Sequence, residues 1–363
     1  MRDSLFSESF RDPQIARHLV QRIAAAASRP MRLMEVCGTH TMAIFRHGIR
    51  DLLPANMTLL SGPGCPVCVT DQLELDAFIA LAQHDDVIVT TFGDLMRVPG
   101  TYTSLQKEAA EGADVRMVYS AMDAVHLAQQ EPGKTVVFLG VGFETTAPTI
   151  AAAILAAEQL ALSNFCVFSA HKTVPPALTA LMAAPEVEVD GFLLPGHVSV
   201  IIGMQGYRSF FERFQKPGVV TGFEPLDVLQ GICMLVDQIG KGAPALENAY
   251  PRAVSDTGNT KAQALMARVF EPCDISWRGL GVIPDSGLAI RTAYARFDAQ
   301  QRFNIAVVEM KPPKGCACGE ILTGRKTPLQ CALFGKRCTP MEPVGPCMVS
   351  SEGTCAAYYR YRE

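Results

Sequence analysis

Apolar residues first fall at helical spacing over residues 13–28, which end in a run of alanines and predict an N-terminal helix outside the first sheet. From residue 31 the rhythm changes. Short runs rich in Val, Ile, Leu and Phe recur at residues 31–36, 57–60, 87–91, 115–119, 135–139, 165–168, 191–194 and 219–221, with helical spacing between them. This alternation predicts βα units and parallel sheet. Eight strands in two sets of four imply an α/β fold with two similar parallel-sheet domains, residues 31–125 and 126–230, facing each other across a cleft. The N-terminal helix occupies residues 1–30. Beyond residue 231 a C-terminal domain, 231–363, shows helical spacing at 226–239 and 261–270, a stretch rich in Gly and Pro at 274–289, and an alternation at 294–310 that predicts strands. From residue 311 onward regular periodicity gives way to Cys, Gly and Pro.

The loops after the predicted strands carry the reactive side chains: Cys37-Gly-Thr-His40, Gly62-Pro-Gly-Cys65-Pro-Val-Cys68, Phe92-Gly-Asp94, Gly142-Phe-Glu144-Thr-Thr-Ala-Pro148, Ala170-His171-Lys172, Pro195-Gly-His197 and Gly222-Phe-Glu224-Pro225. These are carboxyl ends of strands, where open α/β sheets bind ligands. Cys65 and Cys68, three positions apart in a turn stiffened by Pro63 and Pro66, can close to a disulfide or share a metal. A helix beginning just beyond them would stabilise a thiolate. Cys37 and His40 at a helix start can face one metal, or the imidazole can deprotonate the thiol. Glu144 either caps the helix beginning near Thr145 or acts as a general acid or base in the cleft. His171 and His197 follow strand ends and suit structural hydrogen bonding, ligation or proton transfer. Gly140-Val-Gly142 lacks the full pattern of a phosphate cradle.

Composition narrows the chemistry. The chain of 363 residues has 48% hydrophobic and 19% charged residues and a net charge of −4, with no basic run, which excludes nucleic acid as the expected partner. Residues 1–14 are polar and acidic, without the apolar region of an export signal. The most apolar window, 146–162, is interrupted by Pro148, Glu158 and Gln159 and suits a buried helix, not a membrane span. Twelve cysteines in such a chain imply a reducing, cytoplasmic setting with metal-binding or catalytic thiols. Six of them, Cys316, Cys318, Cys331, Cys338, Cys347 and Cys355, lie in the C-terminal segment. Loop-rich chain of this kind is held by a metal when disulfides are disfavoured. Four of the six thiolates suit zinc or an iron–sulfur cluster, and the wide gaps from Cys318 to Cys331, Cys338 and Cys355 favour the cluster. Cys347 reads as a buried spare, and Cys166, Cys233 and Cys273 as packing thiols.

Together, Cys37-Gly-Thr-His40, Gly62 through Cys68, Gly142 through Pro148, Pro195-Gly-His-Val-Ser-Val-Ile201 and Gly345-Pro-Cys-Met-Val-Ser350 resemble the signature stretches of the [NiFe]-hydrogenase maturation HypD family, in order, from about residue 34 to the end. The resemblance implies a cytoplasmic scaffold that, with the small partner HypC, holds an iron ion while cyanide and carbon monoxide are attached. It further implies that cyanide comes from HypE and that the Fe(CN)2CO unit passes to the hydrogenase large subunit. Family members carry two α/β domains and a C-terminal [4Fe-4S] cluster. On this chain the resemblance makes Cys37 the thiolate for the iron with His40 beside it, and Cys65 with Cys68 a redox couple exchanging electrons with the cluster. The cluster ligands would be Cys331, Cys338 and Cys355 with either Cys318 or Cys316. Glu144 and His197 would handle protons or position ligands. An iron–sulfur-dependent thiol–disulfide oxidoreductase, for which Cys37 is dispensable, is the rival reading. A small-molecule enzyme using Cys37 as nucleophile and His40 as base is a further one.

Overall fold

The computed structural model describes residues 10–303, 305 and 313–361. Eleven strands are present among them: β1 (Met31–Glu35), β2 (Met57–Ser61), β3 (Val87–Thr91), β4 (Val115–Met117), β5 (Thr135–Gly140), β6 (Phe165–Ser169), β7 (Gly191–Pro195), β8 (Gly218–Thr221), β9 (Leu246–Asn248), β10 (Phe270–Trp277) and β11 (Gly281–Ile290). The first eight fall where the apolar runs place them. All pairings among β1 to β9 are parallel. β3 and β5 are buried at every position, as interior parallel strands covered by helices on both faces must be; β6, at one edge, is equally buried and bridges to Asp298 through Val167, whereas the short edge strand β4 is only half-buried.

The two parallel sheets do not divide the chain near residue 125. One sheet has the order β2-β1-β7-β8-β9 and the other the order β4-β3-β5-β6. The chain therefore lays down β1 and β2, leaves to build the whole second sheet, and returns at β7 beside β1, with Leu33 opposite Gly191. Local periodicity identifies a strand but carries no information about its partner, and pairing across so long a separation is invisible to it. Each sheet reverses its direction of growth once, between β1 and β7 in the first and between β3 and β5 in the second. Such switch points open a crevice between diverging loops at the carboxyl ends. The expected α/β architecture of two parallel sheets facing across a cleft holds, with one unit inserted into the other.

Three further departures matter for the site. The Gly- and Pro-rich stretch at 274–289 belongs to an antiparallel hairpin, β10 with β11, bulged between Cys273 and Ile275. Pro272 and Pro284 obscured it, because proline removes a ladder donor. The strands expected at 294–310 are instead a 3-10 turn at Thr292–Phe297 and a short helix at Ala299–Arg302, with residues 304 and 306–310 outside the described residues. The C-terminal segment folds onto the first sheet unit. Its helices Cys318–Leu322 and Pro346–Val349 share one apolar core with Cys65, Cys68, Phe192 and Trp277. Helix Thr354–Tyr361 sets Tyr358 against Phe45, with ring centroids 4.5 Å apart. Among the described residues no helix is long and apolar enough to cross a membrane.

Candidate functional site

The crevices at the two switch points meet in a cleft of about 450 Å³. The first sheet lines it with Cys37 just after β1, Gly64 and Pro66 from the turn after β2, Pro195 at the end of β7 and His197 on helix Gly196–Ile202, which follows β7 directly. Phe143, Thr145 and Thr146, after β5, close it from the second sheet, and Glu352 enters from the C-terminal segment.

Cys37 is the N-cap of helix Gly38–Arg46 and is nearly buried. Burial and the charge of Glu352 push its thiol up to about 12, against the opposing pull of the His40 and Thr39 N–H groups. Gly64 is required here, because a Cβ would run into the Cys37 backbone, and its carbonyl accepts from Gly38 N–H at 2.9 Å. His40 does not join Cys37 at the cleft. The extended backbone of Cys37 (φ −153°, ψ 124°) breaks the helical spacing that would have put the two on one face. The fully buried imidazole of His40 instead donates from Nε2 to Gly222 O at 2.9 Å, leaving Nδ1 unpartnered. Burial lowers its pKa to about 4. Phe223 connects the two histidines: its ring centroid lies 4.7 Å from that of His40 and 4.0 Å from that of His197. The exposed ring of His197 faces the cleft, and partial desolvation lowers its pKa.

Cys65 and Cys68 are joined as a disulfide with their Cα atoms 5.2 Å apart. Cys65 caps helix Pro66–Val69, and the Cys68 N–H donates to Cys65 Sγ at 3.2 Å. Ser350 Oγ lies 3.3 Å from Cys65 Sγ and donates to Asp94 Oδ2, which also accepts from Ser351 N–H and Oγ–H. The loop at 350–352 thus joins the disulfide, the β3 switch-point loop and, through Glu352, the Cys37 loop.

Glu144 does not cap its own helix, Ala147–Gln159. Its Oε1 accepts from Val174 N–H at 2.9 Å, the first residue of helix Val174–Ala183, while Oε2 is buried without a partner. Desolvation pushes the carboxyl up to about 7. The cleft is lined by its neighbours Phe143 and Thr145 and not by Glu144 itself. Glu352 was not singled out by the sequence. It lies two residues past the Gly345–Ser350 stretch, and a single loop carboxylate has no periodicity or spacing to mark it.

The six C-terminal cysteines surround one small enclosed space together with Ile321, Leu333, Phe334 and Met348. Cys347, expected to be a spare, has its Sγ 2.7 Å from that of Cys318. Cys318 is also hydrogen-bonded to Cys316, so these three sulfurs adjoin one another, with Cys331, Cys338 and Cys355 around the same space. Burial pushes the thiols of Cys338 and Cys355 up. Among the described residues no three His, Cys, Asp or Glu side chains converge on a single metal ion. An all-thiol donor set in an apolar wall suits an iron–sulfur cluster. Cys166 and Cys233 are buried packing thiols, and Cys273 lies half-buried at the hairpin bulge.

Comparison with known proteins agrees with this arrangement of motifs. The model of the HypD family, described as "Hydrogenase formation hypA family", matches residues 14–362. Hydrogenase maturation factor HypD of Azotobacter vinelandii is 50% identical over 365 residues, covering 98% of this chain and 96% of that protein. The factors of the same name from Rhodobacter capsulatus and Escherichia coli strain K12 are each 47% identical over 368 residues, covering 98% and 99% of this chain and 98% of each relative. With family signatures on both switch points, in the disulfide turn and beside the cysteine layer, and with that identity running through nearly the whole length, the chain belongs to the HypD family of hydrogenase maturation factors.

Proposed function

We propose that this chain is the scaffold on which, together with a HypC-type partner, an iron ion receives cyanide and carbon monoxide before transfer to a hydrogenase large subunit, with cyanide delivered by a HypE-type partner. The observation that carries this reading is the position of Cys37: a thiol at the meeting point of both switch-point crevices, flanked by Glu352 and His197. A soft thiolate suits an iron ion carrying strong-field ligands better than carboxylate alone does. Because the Cys37 thiol holds its proton strongly, binding iron must release that proton, and Glu352, whose charge already acts on the thiol, is placed to accept it. His40 acts from behind, fixing the Gly222 loop and, through Phe223, the ring of His197. Cys65 and Cys68 store two electrons as thiols and release them with two protons when the disulfide closes.

The donor set fits a [4Fe-4S] cluster held by Cys316, Cys331, Cys338 and Cys355, with Cys318 and Cys347 as a neighbouring thiol pair. When bound, such a cluster supplies single electrons at this end of the chain. The packing of helix Pro346–Val349 in one apolar core with Cys65 and Cys68 keeps the route short and dry.

An infrared spectrum of the chain purified anaerobically from cells expressing the maturation partners tests the reading, beside a Cys37→Ala control. Bands of metal-bound cyanide and carbon monoxide are expected in the native chain and absent from the control. If neither sample shows bands while iron and the HypC-type partner are present, the scaffold reading fails. The disulfide then favours a thiol–disulfide oxidoreductase, for which Cys37→Ala leaves activity intact.

A further inference from the structure

Arg278, at the tip of the β10–β11 hairpin, is a buried cation without a carboxylate partner. It is 9% exposed, and among the described residues its guanidinium forms no ion pair. Its hydrogen bonds go to neutral acceptors in the segment after Cys68. Nε donates to Thr70 O at 3.0 Å, a terminal nitrogen donates to Gln72 Oε1 at 3.2 Å, and its backbone N–H donates to Val69 O at 2.9 Å. The tip is fixed further by the bridge between Thr70 and Trp277 and by Ser276 Oγ–H donating to Asp71 Oδ2 at 2.8 Å. On its other side the tip presses on the cysteine layer. Gly279, at φ +82°, packs against Gly319, the residue after Cys318, so closely that a Cβ on either would meet the other's Cα.

A guanidinium taken out of water without an opposite charge is costly, and breaking such burial into an unpaired state ordinarily destabilises a fold. On the side where Gly279 meets Gly319 the carboxylate of Glu320 is paired with Lys326 at 2.8 Å, which leaves the thiols of the C-terminal layer as the groups that can become anionic without a cation of their own. The residue before Arg278, Trp277, shares one apolar core with Cys318, Cys338, Cys347 and Cys355, so the hairpin tip and the thiol layer are parts of one packed unit. We propose that Arg278 is a positioning residue whose charge balances the C-terminal cysteine layer and sets the reduction potential of the iron–sulfur centre held there. The inference rests on the reading that the layer holds such a centre. Reduction adds one electron to an already anionic thiolate-bound centre, and a cation buried beside it favours the reduced form.

The experiment is a dithionite titration of the iron–sulfur centre in the full-length chain, followed by optical and electron paramagnetic resonance spectra, for the native protein, Arg278→Gln and Arg278→Lys. Gln keeps a donor for Thr70 O and removes the charge, while Lys keeps the charge and loses the fork. Arg278→Gln is expected to disfavour reduction at least tenfold, about 59 mV more negative for a one-electron couple. Arg278→Lys is expected to stay near the native potential. A loaded Arg278→Gln at the native potential, or an Arg278→Lys displaced as far as Gln, overturns the inference. If only Arg278→Lys folds and loads, its departure from the native potential overturns it equally, and its agreement supports it. Absence of any centre in the native chain defeats the underlying reading instead, which iron and sulfide analysis distinguishes.

Discussion

Glu352 accepts a hydrogen bond from Thr39 at 2.5 Å between Oε1 and Oγ1, and so brings a carboxylate from near the end of the chain to the residue two places after Cys37. Gly38 makes the approach possible, since a Cβ there would overlap Glu352. Removing the carboxylate and removing only the bond should have different consequences. Thr39→Val and Glu352→Ala should each cost about 2 kcal/mol in urea unfolding, the scale of a hydrogen bond to a charged group. If the carboxylate also accepts the Cys37 proton, Glu352→Ala alone should lose most of the iron that co-purifies with the chain. Equal iron content in the two variants would reduce Glu352 to a structural strut.

Glu144 predicts a pH dependence. Burial moves its carboxyl from an ordinary 4.5 to about 7, so between these values the folded chain binds more protons than the unfolded one. Stability from this group therefore falls as pH rises through that window, and the penalty is complete above about 7. Glu144→Gln keeps an acceptor for Val174 N–H and removes the titration. Urea unfolding at about pH 5 and about pH 8 should show a gap between the two conditions smaller by about 2.5 kcal/mol in the variant. An unchanged gap would mean that Oε2 is solvated. Hydrogenase maturation in cells carrying the same variant separates this structural cost from a catalytic one.

The strands β1 to β8 were legible because each is a short apolar run ending in a loop of turn-forming residues, a signal written locally. Their order in the sheets was not, since the pairing of Leu33 with Gly191 spans the entire inserted unit. The same distinction holds at the site. Cys37, Cys65, Cys68 and His197 announced themselves by type and by position after strands. The orientation of His40 depended on the backbone of a single N-cap residue, and the partner of Glu144 lay on another helix. Cys347 looked spare because its contact with Cys318 is made between two short helices that no spacing rule relates.

The disulfide between Cys65 and Cys68 predicts a thiol count. Ten cysteines are otherwise unpaired. Denatured without reductant after removal of bound iron, the chain should take up alkylating label on those ten and gain the last two only after reduction. Mass spectrometry of the digest should place the late label on the peptide containing Cys65 and Cys68. Full labelling without reductant would mean that the pair rests as thiols, and the electrons it holds would then be available at once.

Cys316 and Cys318, two residues apart, should behave in opposite ways. The sequence leaves either as the fourth ligand beside Cys331, Cys338 and Cys355, and we propose Cys316 for that place because Cys318 is the one whose sulfur adjoins Cys347. Its sulfur lies 2.7 Å from that of Cys347, whose helix Pro346–Val349 packs on helix Pro66–Val69, while Cys316 lies against Gly345, whose missing side chain leaves its sulfur room. Cys316→Ser should therefore abolish iron and sulfide in the purified chain together with the visible absorption of the cluster. Cys318→Ser should retain all three, because four thiolates remain, and should instead slow reduction of the Cys65–Cys68 disulfide when electrons enter through the cluster. Serine keeps the size of each side chain and withdraws only the soft donor, so loss of fold is not expected in either case. If Cys318→Ser loses the cluster and Cys316→Ser keeps it, the close pair of sulfurs is a ligand contact, and Cys347 and Cys318 belong to the metal site rather than beside it.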